Sequence, residues 1–179
     1  MITESNKKLP VTVVTGFLGS GKTTLINNIL SETHGRKIAV IVNEFGEISI
    51  DGQLIKKSDQ EDLIEFNNGC LCCTVRGDLI ETIDKLKNQD NLDAILIETT
   101  GLADPAPVAS SFFLADELSS DTKVDSFISM ADAVNLEESL ATNEEAQEQI
   151  AFADIILLNK TDLVGEEQLQ RVEARIRKL

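Results

Sequence analysis

The run Gly16-Phe17-Leu18-Gly19-Ser20-Gly21-Lys22-Thr23-Thr24 has the make-up of a phosphate cradle. A triphosphate needs many donors packed close together. Glycines let backbone N–H groups turn inward into a concave nest at a helix N-terminus, where the helix dipole also favours anions. Gly16, Gly19 and Gly21 supply that freedom, Ser20 and Thr24 complete the loop, and the spacing matches the P-loop pattern G-x-x-x-x-G-K-[ST]. Lys22 then brings a point charge to the β and γ phosphates, and the Thr23 hydroxyl is expected on Mg2+. Taken alone, the loop does not separate an ATPase, a kinase and a GTPase.

Asn159-Lys160-Thr161-Asp162 narrows the choice. A carboxylate at Asp162 can accept from both N1–H and the exocyclic N2 amine of guanine, a bidentate charge-assisted pair. Adenine offers neither donor there, and a site built to pair a buried charge rejects a ligand that leaves it unpaired by roughly 10⁴-fold or more. Lys160 would lay its stem along the base, and Asn159 would tie this loop to the phosphate loop. Glu98 follows the apolar run Ala94 to Ile97, where P-loop proteins place the acid that orients the Mg2+ shell; the plain alternative is an exposed glutamate opening a loop. Gly101 is placed to let a backbone N–H approach the γ-phosphate.

The three cysteines crowd into Cys70-Leu71-Cys72-Cys73, so a spread disulfide framework is impossible. Soft thiolates suit Zn2+ and also hold Co2+ or Cu+. Three thiols from one short loop do not easily close a tetrahedron, so a further ligand must come from elsewhere or from water, which leaves an open, exchangeable site. Buried unreactive cysteines and a redox dithiol are the other readings. Glu44 and Glu47 could belong to a nucleotide-sensing loop, supply oxygen ligands or be solvated, and Glu47 is the preferred ligand of the two. His34, the single histidine, sits at the helix terminus Thr33-His34-Gly35 and reads as a cap or surface residue rather than as a metal ligand.

The elements that must carry these residues follow from hydrophobic patterning. Val11–Thr15, Lys37–Val42, Ala94–Ile97 and Ile155–Leu158 are continuous apolar runs of the kind found in buried parallel strands, and Leu63–Phe66 and Phe127–Ala131 are further candidates. Helices are expected after the P-loop, over 78–87 and 108–118, over 137–152 with an acidic solvated face, and around Leu169, Val172 and Ile176. Ile48–Gln53 reads as a loop with an Asp-Gly turn and Lys56–Glu61 as exposed and polar. Strands alternating with helices argue for a parallel α/β sheet. Every polar motif then falls just past a strand's carboxyl end, the edge where open α/β sheets bind ligands.

Composition supports one globular domain: 179 residues at 42% hydrophobic content are enough for a core. A net charge of −15, from 16 basic and 31 acidic residues, argues against a nucleic-acid backbone or an anionic membrane as partner. No apolar run approaches the roughly 18 to 20 residues that span a bilayer, and Met1–Lys8 has no apolar segment of signal-peptide type. A cytoplasmic protein is expected.

Taken together, Gly16 to Thr24, Asn43 to Glu47, Cys70 to Cys73, Glu98 to Gly101 and Asn159 to Asp162 resemble the CobW-type metallochaperone GTPases, relatives of the nickel-handling GTPases of urease and hydrogenase maturation. The C-x-C-C motif between a P-loop and an E-T-T-G is the specific feature. The resemblance implies a three-layer P-loop NTPase fold of the SIMIBI class, with a mostly parallel seven-stranded sheet flanked by helices. It implies slow, Mg2+-dependent GTP hydrolysis and delivery of Zn2+ or Co2+ to a client metalloprotein, with neither nucleic acid nor membrane as partner; a homodimer is allowed but not specified. By position, Cys70, Cys72 and Cys73 would hold the transition metal, with Glu47 as an added ligand. Lys22, Thr23, Glu98 and Gly101 would serve hydrolysis, Thr23 and Glu98 holding Mg2+, and Asn159, Lys160 and Asp162 the base. Residues 1–9 read as a tail and 10–179 as a GTPase domain cut before its last strand and before the family's usual C-terminal domain. Val42 and the lone His34 leave the metal fewer protein ligands than some relatives have. The competing functions are a small-molecule kinase or ATPase on the same P-loop, which ATP competition would reveal, and a thiol redox or zinc-storage module indifferent to nucleotide.

Overall fold

The computed structural model describes residues 8–33, 35–43, 63–66, 75–87 and 92–179. Among these residues six parallel strands lie in the order β3-β2-β4-β1-β5-β6. They are β1 (Leu9–Thr15), β2 (Ile38–Asn43), β3 (Leu63–Phe66), β4 (Ala94–Glu98), β5 (Thr122–Asp132) and β6 (Ile155–Asn159). The helices are α1 (Lys22–Ser31), α2 (Val75–Lys87), α3 (Ala106–Leu114), α4 (Asp116–Asp121), α5 (Leu136–Thr142), α6 (Glu144–Ala151) and α7 (Glu166–Ile176).

Alternation along the strands divides the core into layers, because successive side chains leave opposite faces of a strand. Val11 and Val13 of β1, Ala39 and Ile41 of β2, and Ile95 and Ile97 of β4 pack with Leu79, Ile83 and Leu86 of α2 and with Val108 and Phe112 of α3. Their neighbours Val14, Val40, Val42 and Leu96 face the other way, onto Ile26 and Leu30 of α1. Both faces of the central strands are therefore covered, which is why they read as unbroken apolar runs. A third cluster joins Ala131 of β5 to Leu136, Leu140, Ala146, Ile150 and Val172 of α5, α6 and α7.

Four local expectations change. The helix expected over 137–152 is two, α5 and α6, broken at Asn143 (φ −132°, ψ 122°). There Asn143 Nδ2 turns back to Ser139 O, and Thr142 Oγ1 donates to Glu138 O. These are side-chain bonds that compete with helix continuation. The helix expected over 108–118 likewise starts earlier, at Ala106, and stops at the extended Ala115 before α4. Strand β5 begins at Thr122, five residues before the expected start at Phe127, because Lys123 and Asp125 are exposed on its first half and break the apolar run. The run Ile155–Leu158, expected to be buried, is the last strand of the sheet among the described residues: Ile156 and Leu158 pack inward while Ile155 and Leu157 are 46% and 37% exposed. His34, Glu44, Glu47, the loops at 48–53 and 56–61, and Cys70 to Cys73 lie outside the described residues.

Candidate functional site

The parallel register delivers the motifs to one edge. Val14, just before the phosphate loop, is level with Glu98 at the end of β4, and Asp132 at the end of β5 is level with Asn159 at the end of β6. The loop 16–21 then turns the chain into α1. Its last residue, Gly21, is the N-cap in the left-handed region (φ 103°), and a Cβ built there would collide with the Asn159 carboxamide. Only glycine fits both demands.

Helix α1 starts without a side-chain cap and without an acid in its first turn, whereas α5, α6 and α7 each carry two glutamates there. Acids stabilise helix starts through the macrodipole. A start bare of acid in so acidic a chain, with Lys22 at its first position, leaves the positive end of the dipole to an external anion.

Lys22 is buried and folds back over the loop, with Nζ donating to Gly16 O at 2.7 Å and Phe17 O at 3.3 Å. Thr23 Oγ1 donates to Glu98 Oε1 at 2.8 Å, and Glu98 is only 3% exposed. A hydroxyl and a carboxylate held together are two hard oxygens, the donor set that suits Mg2+. Ser20 is buried within the loop and Thr24 exposed on α1. Gly101 is buried directly against the loop: a Cβ built on it would lie 2.6 Å from Leu18 Cδ2 and 2.7 Å from Leu18 N. The chain after β4 thus lies on the phosphate loop itself.

The second motif meets the first through Asn159, whose Nδ2 donates to Ser20 O at 2.9 Å. Lys160 follows in the left-handed region (φ 58°), the one non-glycine residue with positive φ among the described residues. Its Nζ donates to Asp132 Oδ2 at 2.8 Å. Asp162 is exposed in a short 3-10 turn, Thr161–Leu163, at the same edge.

Two residues here carry no motif. Asp132 accepts from Lys160, from Asn135 Nδ2 at 2.8 Å and, on its other oxygen, from Val134 N–H at 2.9 Å. Burial pushes its carboxyl up, but these donors and the Lys160 charge outweigh that and hold it below the ordinary value of 3.8. Gln149 of α6 is buried, and its Nε2 donates to Gly101 O at 3.1 Å and Ala103 O at 2.9 Å. The available signal for Gln149 is a polar residue sharing the buried stripe of Ala146 and Ile150. For Asp132 the signal is an acid ending a strand.

The sequence model of a family described as CobW/HypB/UreG, nucleotide-binding domain, matches residues 10–179. Among curated proteins, the zinc chaperone YjiA of Escherichia coli K12 is 45% identical over 178 residues, covering 93% of this chain and 55% of its own. The zinc-regulated GTPase metalloprotein activator 1 of Dictyostelium discoideum is 36% identical over 207 residues, covering 96% and 44%. Among solved structures, the Zn(II)-bound YjiA GTPase from E. coli superposes with a TM-score of 0.70 at 36% identity, over 94% of this chain and 54% of that one. The chain spans about half the length of these relatives.

Proposed function

The chain belongs to the CobW/HypB/UreG nucleotide-binding domain family, and on that premise we propose that it is a GTP-binding, GTP-hydrolysing metallochaperone that hands Zn2+, or a similar metal such as Co2+, to a client protein under control of the bound nucleotide. Residues 10–179 act as its GTPase domain. The observation that carries the reading is the Lys22 ammonium and the Thr23–Glu98 pair gathered at the bare start of α1. The relatives named as zinc chaperones and as a zinc-regulated GTPase point the same way.

In this reading the loop N–H groups and Lys22 bind the β and γ phosphates, Lys22 exchanging its bonds to Gly16 O and Phe17 O for phosphate oxygens. Thr23 and Glu98 would hold Mg2+, which supplies charge neutralisation on the β and γ oxygens. The Gly101 N–H senses the γ-phosphate, and Asp162 reads guanine while Asn159 keeps that reader registered to the phosphate loop. Cys70, Cys72 and Cys73 take the cargo metal as thiolates, with Glu47 as an oxygen ligand. GTP with Mg2+ would order the loop from Asn43 to Glu47 against the cysteine loop, completing the metal site, and hydrolysis would relax it and release the metal. The same reading places its work in the cytoplasm; separately, among the described residues no helix is long and apolar enough to cross a membrane.

The test is a Zn2+ titration against a chromophoric chelator, under reducing conditions, with Mg2+ and a slowly hydrolysed GTP analogue, with GDP, and with no nucleotide. The GTP analogue is expected to tighten Zn2+ binding by about tenfold, which is about 1.4 kcal/mol of coupling. Equal affinity in all three states would overturn the proposal.

A further inference from the structure

We infer that Asp132, at the carboxyl end of β5, is a positioning residue for guanine recognition that acts by fixing Lys160. This rests on the reading of the chain as a GTP-binding protein. The sheet itself places the pair, since Asp132 is level with Asn159 in the β5–β6 ladder and Ala133 N–H continues the pairing to Asn159 O at 2.9 Å. The first residue after the ladder on β6 is Lys160, and its ammonium comes back across the strand gap to the carboxylate.

Lys160 needs such a partner. Its left-handed backbone is costly for a residue with a Cβ, of order 1 kcal/mol, and that turn sets where the 161–163 segment bearing Asp162 leaves the sheet. The Lys160 side chain is one-third exposed, so without a fixed acceptor its four-carbon stem would be free to point into solvent. Asp132, by contrast, is held on both oxygens: Oδ1 by Val134 N–H and Oδ2 by Asn135 and Lys160. Three donors from a backbone, an amide and an ammonium converge on one group. Only a carboxylate, acceptor on both oxygens, satisfies all of them. An asparagine in its place must aim its NH2 either at the Val134 N–H or at the Asn135 and Lys160 donors. It has nearly the same shape and the wrong pattern.

The test measures GTP and ATP affinities by competition against a fluorescent GDP for the wild-type chain, Asp132→Asn, Lys160→Met and the double variant. Asp132→Asn is expected to weaken GTP by about tenfold while leaving ATP, whose base offers Asp162 no donor pair to lose, within about twofold. The double variant is expected to bind GTP no more weakly than Lys160→Met alone, because residues acting through one interaction are not additive. A wild-type GTP:ATP ratio in Asp132→Asn, or losses that add in the double variant, would overturn the inference. A wild-type chain with no preference for GTP over ATP would instead sink the nucleotide reading beneath it. Should Asp132→Asn not fold, Asn135→Ala serves: Asn135 is exposed and makes no side-chain cap bond to α5. It removes one holder of the carboxylate, with a two- to threefold fall in the GTP:ATP ratio expected; an unchanged ratio overturns the inference.

Discussion

Replacing Gln149 by methionine would remove a donor from the buried face of α6 at almost constant volume. Its Nε2 ties down two carbonyls, Gly101 O and Ala103 O, in the loop that lies on the phosphate cradle. A buried acceptor left without its donor costs about 1–3 kcal/mol, so two would set an upper bound near 6 kcal/mol. Against that, Gln149 Oε1 is itself buried with no hydrogen-bond partner among the described residues, and its removal returns about 1–3 kcal/mol by the same rule. The net loss is then about 1–3 kcal/mol, a sizeable part of a typical stability of about 5–15 kcal/mol. In a domain of this size each kcal/mol moves Tm by about 2–4 °C. The loop has one escape, turning its carbonyls to water beside the exposed Leu102, which exchanges global stability for local opening. The assay is therefore a thermal melt paired with amide exchange at Gly101–Ala103, and either a Tm lower by several degrees or faster exchange there is expected. A melt unchanged within about 1 °C together with unchanged exchange would refute the reasoning that Gln149 holds the loop.

Asp162→Ala is expected to bring GTP and ATP affinities close together by losing the guanine-specific pair; competition binding checks it, and intact preference for GTP would remove Asp162 from base recognition. Cys72→Ala should leave GTP binding unchanged and weaken Zn2+ by tenfold or more on the chelator titration; unchanged Zn2+ affinity would place the cargo elsewhere. Because the Asp132 carboxyl is held below its ordinary value of 3.8, its contribution to stability is present above that value and disappears as pH falls through the lowered one. The Tm gap between wild type and Asp132→Asn should therefore shrink between pH 5 and pH 3; a gap constant over that range counts against the charge-holding role.

The parts of this fold legible in the sequence are those whose cause is local. Val11–Val14, Ile38–Val42 and Ala94–Ile97 are apolar on both faces because helices cover both faces of the central strands, and the phosphate loop's spacing answers to the geometry of its own backbone. What was not legible depends on partners distant in the chain. The polar first half of β5 becomes a strand only because β1 offers it a ladder from Leu9 onward. Asn143 ends one helix and precedes another through bonds to Ser139 and Thr142 that no periodicity records. Asp132 and Gln149 are single polar residues without motif, and each gains its role from a neighbour placed by the sheet or by helix packing. The proposed metal ligands are the reverse case: Cys70, Cys72 and Cys73 are conspicuous in the sequence and lie outside the described residues.

The distribution of acid connects these two kinds of information. With 31 acidic residues against 16 basic, the chain repels anions as a whole, yet its proposed ligand is a highly charged triphosphate. The conflict resolves locally. The glutamates gather at the starts of α5, α6 and α7, where each stabilises its own helix dipole, while the start of α1 is left to Lys22, Thr23 and the loop N–H groups. Among the described residues the acid bonded to this start, Glu98, is fixed to the Thr23 hydroxyl, where a divalent cation can share it and reverse its effect on a phosphate. Long-range repulsion is screened within about 8–10 Å at physiological salt, so the affinity is decided by these few groups inside that distance. An acid introduced there, as in Thr24→Glu, would act on the ligand directly, whereas another on α6 would act hardly at all.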